Sequence, residues 1–95
     1  MTYFVYILVS RSGNALYVGT TSDLRRRLHQ HQAGQTGAHT ARYKIRKLVY
    51  FELHDAAEAA LLREKKVKRW RRQWKIDLIE SVNPGWRDVS HDIPL

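Results

Sequence analysis

Phe4-Val5-Tyr6-Ile7-Leu8 and Leu16-Tyr17-Val18-Gly19-Thr20 decide how this chain is read. Each is a short apolar run carrying one tyrosine. Residues 3–9 are apolar on both alternating faces, which suits a strand covered on both sides and hence a central one. Between the runs, Ser10-Arg11-Ser12-Gly13-Asn14 is turn chemistry, because Gly and Asn reach positive φ. Residues 15–20 then return as the partner strand of a hairpin. One register brings Tyr6 and Tyr17 onto the same face; a slip by one residue separates them.

Outward from the hairpin, Thr21 or Ser22 is a candidate cap for a helix beginning near Asp23. Leu24 and Leu28 mark its buried side. Arg27 and His31 lie four apart beside that stripe, while Arg25, Arg26 and His29 point outward. Residues 33–44 hold two glycines and no periodicity, and read as a basic loop. Residues 47–54 read as a third strand. From Asp55, a candidate N-cap, a long helix runs to about Trp70. Its wheel places Ala57, Ala60, Leu61, Glu64, Val67 and Lys68 on one face, with Glu64 at the centre. A carboxylate in an apolar stripe is costly unless paired or ligated. A second helical run, from Gln73 to Val82, carries Trp74, Leu78 and Ile79 on one side and stops at Asn83-Pro84-Gly85. The tail from Trp86 has no clear period. Short strands with helices between them make a small α/β domain.

Ninety-five residues make one domain, and 43% hydrophobic content supports a core. There is no cysteine, so a disulfide scaffold and thiolate metal ligation are excluded. No apolar run reaches the roughly 18 residues of a membrane span, and no signal-like leader precedes Tyr3. The expected place is the cytoplasm, with no membrane partner. Seventeen Lys and Arg against nine Asp and Glu leave a formal charge of +8. That field recruits polyanions and favours nucleic acid over acidic membrane or protein surfaces.

In order and spacing these residues resemble the GIY-YIG nuclease superfamily, in particular its small single-domain bacterial members, an uncharacterised family. Phe4-Val5-Tyr6 stands for the first motif, with phenylalanine in place of glycine; Tyr17-Val18-Gly19 stands for the second. The family's helix arginine falls on Arg27 and its next polar position on His31. Its metal-binding glutamate falls on Glu64 and its closing asparagine on Asn83. The match covers about residues 3–89 of one domain, 1–95. The resemblance implies a three-stranded antiparallel sheet flanked by helices, in the order β-β-α-β-α-α.

It further implies an endonuclease that hydrolyses phosphodiester bonds of DNA with one divalent cation, Mg²⁺ or Mn²⁺. Such chemistry needs an activated water, a neutralised phosphate and a stabilised leaving oxygen. Tyr6 is the candidate general base, with Tyr17 beside it; taken alone, both are strand aromatics filling space. Arg27 matches two phosphate oxygens with its guanidinium fork. His31 is placed to polarise the tyrosine or relay its proton. Glu64 is the candidate metal ligand, since magnesium sites use one or two carboxylates plus substrate; the competing reading is an intrahelical pair with Lys68. Asn83 steadies the site by hydrogen bonds or simply ends a helix. Arg25, Arg26, His39, Arg42, Lys65 and Lys68 are candidate backbone contacts, which give affinity without sequence information. Trp70 and Trp74 either stack on exposed bases or belong to the core, and core is the favoured reading.

With little room for a recognition surface, low sequence specificity or a structure preference is expected, and the resemblance points towards DNA repair. The alternative is a non-catalytic nucleic-acid-binding module of the same fold. A third reading is a partner of another nuclease or repair protein, engaged through an exposed Trp86 tail; separately, cutting both strands by so small a nuclease calls for a homodimer or for two successive nicks.

Overall fold

The structure, a computed structural model, describes residues 1–33 and 45–94. Two expected nucleic-acid contacts, His39 and Arg42, lie outside the described residues. Three strands, β1 (Tyr3–Ser10), β2 (Leu16–Thr21) and β3 (Ile45–His54), form an antiparallel sheet in the order β2-β1-β3. Around it lie α1 (Leu24–Gln32), α2 (Ala57–Arg69), α3 (Arg72–Val82) and a short 3₁₀ turn, Ser90–Asp92. Among the described residues the order of strands and α-helices is the expected β-β-α-β-α-α. β1 is central because both its faces are apolar: every residue from Phe4 to Ser10 is buried.

The hairpin turn rests on local bonds. Ser10 Oγ accepts from Ala15 N at 3.1 Å, and Gly13 takes φ +82°, a conformation open to a residue without Cβ. Arg72, at the start of α3, clips the turn by donating to the Gly13 carbonyl at 2.9 Å. The register pairs Tyr6 with Gly19 and Leu8 with Tyr17. Tyr6 and Tyr17 therefore share a face, one of the two alternatives open from the sequence.

β3 is two residues longer than β1, and two register shifts absorb the difference. One skips Val49, between the pairs Ile7–Tyr50 and Leu8–Leu48. Such a bulge disrupts the ladder locally. Asn83, the C-cap residue of α3, covers this spot: its Nδ2 donates to the Val49 carbonyl and the Arg87 carbonyl, both at 2.9 Å.

The two faces carry separate cores. Phe4, Tyr6, Leu8 and Leu48 pack under Leu24 and Leu28 of α1 and under Val89 and Ile93 of the tail. Val5, Ile7, Val9, Val18 and Val49 pack against Ala60 and Val67 of α2 and Ile79 of α3. The tail was expected to have no period, and it has none. It is anchored by two apolar side chains and by Val89 N donating to the Leu48 carbonyl at 2.9 Å.

Three sequence expectations need correction. The cap of α1 is Asp23, whose carboxylate accepts from Arg26 N; Thr21 supports it one step back, accepting from Asp23 N. The cap position of α2 belongs to Ala56 and not Asp55, with no side-chain bond. Trp74 is 49% exposed and is not core. Trp70 is the aromatic packed against the core at that corner, and Trp74 meets only its edge, with centroids 6.2 Å apart.

Candidate active site

The site grows from a missing side chain. Gly19 sits opposite Tyr6 in the β1–β2 register. A Cβ on Gly19 would lie 2.5 Å from the Tyr6 hydroxyl oxygen and 3.0 Å from Tyr17 Cε1. The Tyr6 phenol thus lies over bare backbone, in space that only glycine leaves. Tyr6 itself is 1% exposed, whereas Tyr17 is half-buried.

From α1, His31 reaches the same spot. Its Nε2 is 2.9 Å from the Tyr6 hydroxyl, a buried hydrogen bond spanning 25 residues of chain. Its ring also packs edge-on to Tyr17, with centroids 4.8 Å apart. His31 was expected beside the Leu24–Leu28 stripe and proves to be part of it: Leu24, Leu28 and His31 are the buried residues of α1, and Arg27 sits at their margin. His31 is therefore no surface histidine.

The electrostatics tie four elements together. Burial raises the Tyr6 phenol well above the usual tyrosine value; Tyr17 and Glu64 push the same way, and the Arg27 guanidinium pulls it down. Burial lowers His31 to about 4, and Arg27 adds to that. Both partners are thus neutral at pH 7. With imidazole neutral, Nε2 is available to accept the phenol proton. Arg27 of α1 and Glu64 of α2 both act on the β1 phenol.

Glu64 is buried at the centre of the α2 stripe with Ala60 and Val67, as its wheel position requires. Leu61, expected on that face, is 44% exposed. Lys68, one turn on, reaches Glu64 Oε2 at 2.8 Å, and this pair offsets the cost of the buried carboxylate. Among the described residues no group of three His, Cys, Asp or Glu side chains is placed to hold a metal ion. The donor set fits a hard, largely hydrated cation: one carboxylate, with its side chain still 11% exposed.

The remaining candidates divide. Asn83 is buried, but its bonds run to the backbone of Val49 and Arg87, so it braces the sheet behind the site. Arg25 donates to the Ile93 carbonyl at 2.7 Å and pins the tail over the Tyr6 face. Arg26 and Lys65 are exposed, and Lys68 is engaged with Glu64.

A second polar cluster escaped the sequence reading. Tyr50, Glu52 and His54 alternate along β3 and so share the face under α2. Glu52 accepts from the Tyr50 hydroxyl at 2.5 Å and from Arg63 Nε at 3.0 Å, and its Oε2 is 2.6 Å from His54 Nε2. Burial alone would raise the Glu52 carboxyl, but the three hydrogen-bonding partners hold it below the usual value. Tyr50 is pushed up to about 12 by burial and by its bond to that carboxylate. The period-2 spacing of a tyrosine, a glutamate and a histidine was the available signal. The cluster joins β3 to α2 one residue before Glu64, and so fixes the rotation of the helix that presents it.

The family model of the GIY-YIG catalytic domain matches residues 2–77. A UPF0213 protein of Haloquadratum walsbyi is 40% identical over 78 residues, covering 82% of this chain and 86% of its own length. A UPF0213 protein of Staphylococcus aureus strain N315 is 37% identical over 79 residues, covering 83% and 95%. The solution NMR structure of a UPF0213 protein from Bacillus halodurans matches with a TM-score of 0.59 and 30% identity, over 95% of each chain.

Proposed function

The chain belongs to the GIY-YIG catalytic-domain family and to the UPF0213 proteins, and from that premise we propose that it is a divalent-metal-dependent endonuclease hydrolysing phosphodiester bonds of DNA. The family's domain is that of a nuclease superfamily whose members generally depend on a divalent metal. The observation that carries the reading is the Tyr6–His31 hydrogen bond of 2.9 Å with the charges of Arg27 and Glu64 acting on the phenol.

In this mechanism Arg27 takes the scissile phosphate through its two-pronged guanidinium. Charge on the phosphate then offsets the positive charge that Arg27 directs at both members of the pair. With that influence reduced, Tyr6 and His31 each become more basic. Water attacks phosphorus, its proton passes to the Tyr6 oxygen, and the Tyr6 proton passes to His31 Nε2. The P–O bond to the leaving oxygen breaks, and solvent returns a proton to that oxygen. Tyr17, half-buried at the mouth, orients the water and shields the inner pair. A cation held by Glu64, Mg²⁺ or Mn²⁺, would neutralise the carboxylate that raises Tyr6 and would stabilise charge on the leaving oxygen. Phosphate contacts from Arg26 and Lys65 supply affinity without reading sequence, and a role in DNA repair accompanies this reading.

Two observations favour the second reading, a nucleic-acid-binding module that does not cut. Tyr6 is 1% exposed, and Glu64 is already paired with Lys68. Cleavage of plasmid, branched and single-stranded DNA with Mg²⁺ or Mn²⁺ separates the two, with wild type beside Glu64→Ala at equal purity. Metal-dependent cutting that disappears in the variant is the expected result. Binding without cutting by both proteins would establish the module instead.

A further inference from the structure

The corner between α2 and α3 holds an aromatic pair that hydrolysis does not use. Trp74 is 49% exposed, the only tryptophan so exposed among the described residues. Trp70 is half-buried, with one side on the core and its edge to Trp74. The Arg71 guanidinium lies 5.0 Å from the Trp74 ring centroid. Two hollows share Trp70. One, of about 420 Å³, is lined by Trp70, Trp74, Asp77, Leu78 and Ser81; the other, of about 520 Å³, by Leu62, Lys65, Lys66, Arg69 and Trp70.

We propose that this corner is a stacking site for an unpaired nucleobase, so that the substrate class is DNA carrying a single-stranded segment. The inference rests on the nucleic-acid reading above and gives it a structural preference. The two hollows divide the parts of a nucleotide by chemistry. Lys65, Lys66 and Arg69 make the second hollow cationic, which suits a phosphate. Asp77 makes the first unfavourable to a phosphate; one of its carboxylate oxygens accepts from Gln73 Nε2 at 2.9 Å, and the other is an acceptor for a base N–H. The indole of Trp74 presents a π-face that any base can use, which gives stacking without sequence choice.

Arg71 is a displaceable occupant of that ring. A cation–π contact at an exposed site is weaker than base stacking on an aromatic, and the guanidinium released then pairs with the nucleotide's own phosphate. In a duplex each base is already stacked and paired, so it offers no free face. The placement also suits a nuclease. Trp70, which Trp74 meets edge-on, follows Glu64 by six residues, about 9 Å along a helix axis at its usual rise. The stacked base would sit beside the strand being cut rather than in the reacting centre.

The test measures anisotropy of a fluorescein-labelled oligothymidylate and of a blunt hairpin duplex of equal phosphate number, at fixed salt in EDTA so that nothing is cut. Wild type, Trp74→Ala and Trp74→Tyr are compared as full chains, with their melting curves recorded. Trp74→Ala is expected to weaken oligothymidylate binding about tenfold, to change duplex binding less than twofold, and to be rescued by Trp74→Tyr. Equal losses on both ligands, or no loss on either, overturns the proposal. So does a change of sedimentation coefficient in Trp74→Ala alone, which would make the corner a contact between copies. The nuclease reading is decided separately, by cutting in the Glu64→Ala comparison. A chain that never cuts but shows the Trp74 pattern loses the first reading and keeps this one.

Discussion

At the scale of single residues, the space over Gly19 and the protonation of His31 govern the site. A methyl at residue 19 cannot coexist with the phenol in its present position, since the contact would be 2.5 Å. Gly19→Ala must push Tyr6 aside in a packed interior. Such overpacking costs about 1–3 kcal/mol, visible as a lower melting temperature, and the displaced hydroxyl loses His31. Cleavage should fall further than stability does, and a variant that cuts like wild type would remove Tyr6 from the mechanism. His31 makes a prediction of its own. Unfolded, it titrates near 6.5; folded, near 4. Below pH 6.5 the unfolded chain takes up a proton that the folded chain refuses. Stability from this group is therefore complete above pH 6.5 and is lost as pH falls towards 4, by about 3 kcal/mol in all. Melting temperature followed from pH 8 to pH 5 should decline, and His31→Phe should flatten that decline. Carboxylates stay ionised over most of this range, so they do not mimic the effect.

Among elements, what was legible in the sequence followed from periodicity, and what was hidden followed from contacts that have no period. The doubly apolar β1 announced a central strand, and Leu24 and Leu28 at helical spacing announced the face of α1. The pattern put Tyr6 on the central strand but left its register with Tyr17 open, it set His31 beside the α1 stripe, and it centred Glu64 on its wheel. Three things had no pattern to show. The tail holds on by two apolar side chains, Val89 and Ile93, and by single hydrogen bonds such as that from Arg25 to the Ile93 carbonyl. The bulge at Val49 is specified by Asn83, 34 residues away. Trp74 is excluded from the core because Trp70 takes the nearer space. The Glu52 cluster had a pattern, period 2 on β3, but its meaning depends on Arg63 of α2. Arg63 gives this cluster its weight: Glu52→Ala strands a guanidinium, a phenol and an imidazole that now share one carboxylate. Since Glu52 keeps 18% side-chain exposure, water softens the loss, and about 2 kcal/mol is expected. The folded carboxyl titrates below its ordinary value. Its stabilisation is therefore present above pH 4.5 and is lost only as pH falls below that, a window separate from that of His31. Urea unfolding of wild type beside Glu52→Ala, at pH 7 and at pH 3, measures both points, since the His31 contribution is common to the two proteins and cancels in their difference. A Glu52→Ala variant as stable as wild type at pH 7 would show that the cluster does not clamp α2.

The molecule as a whole works as a charged body before it works as a site. A surplus of +8 on 95 residues makes encounter with nucleic acid sequence-blind. No helix among the described residues is long and apolar enough to cross a membrane, and the cations at residues 26, 65, 66 and 69 are all exposed. Each phosphate they neutralise releases condensed counterions, so affinity must fall with salt. Four such contacts give a slope of about −3 in log K against log salt, or roughly a 100-fold loss between 50 and 200 mM. Replacing Lys65 and Lys66 by glutamine together should bring the slope to about half. Turnover at saturating DNA should change little in the same double variant, because neither lysine meets the phenol, the imidazole or Glu64. The contrast with Glu64→Ala is then complete: one variant weakens binding and halves its salt dependence but keeps turnover, the other keeps binding and loses turnover. If the lysine variant instead lost turnover at saturation with its slope intact, the basic surface would be part of the reacting centre, and the division between a capturing face and a cutting pocket would be wrong.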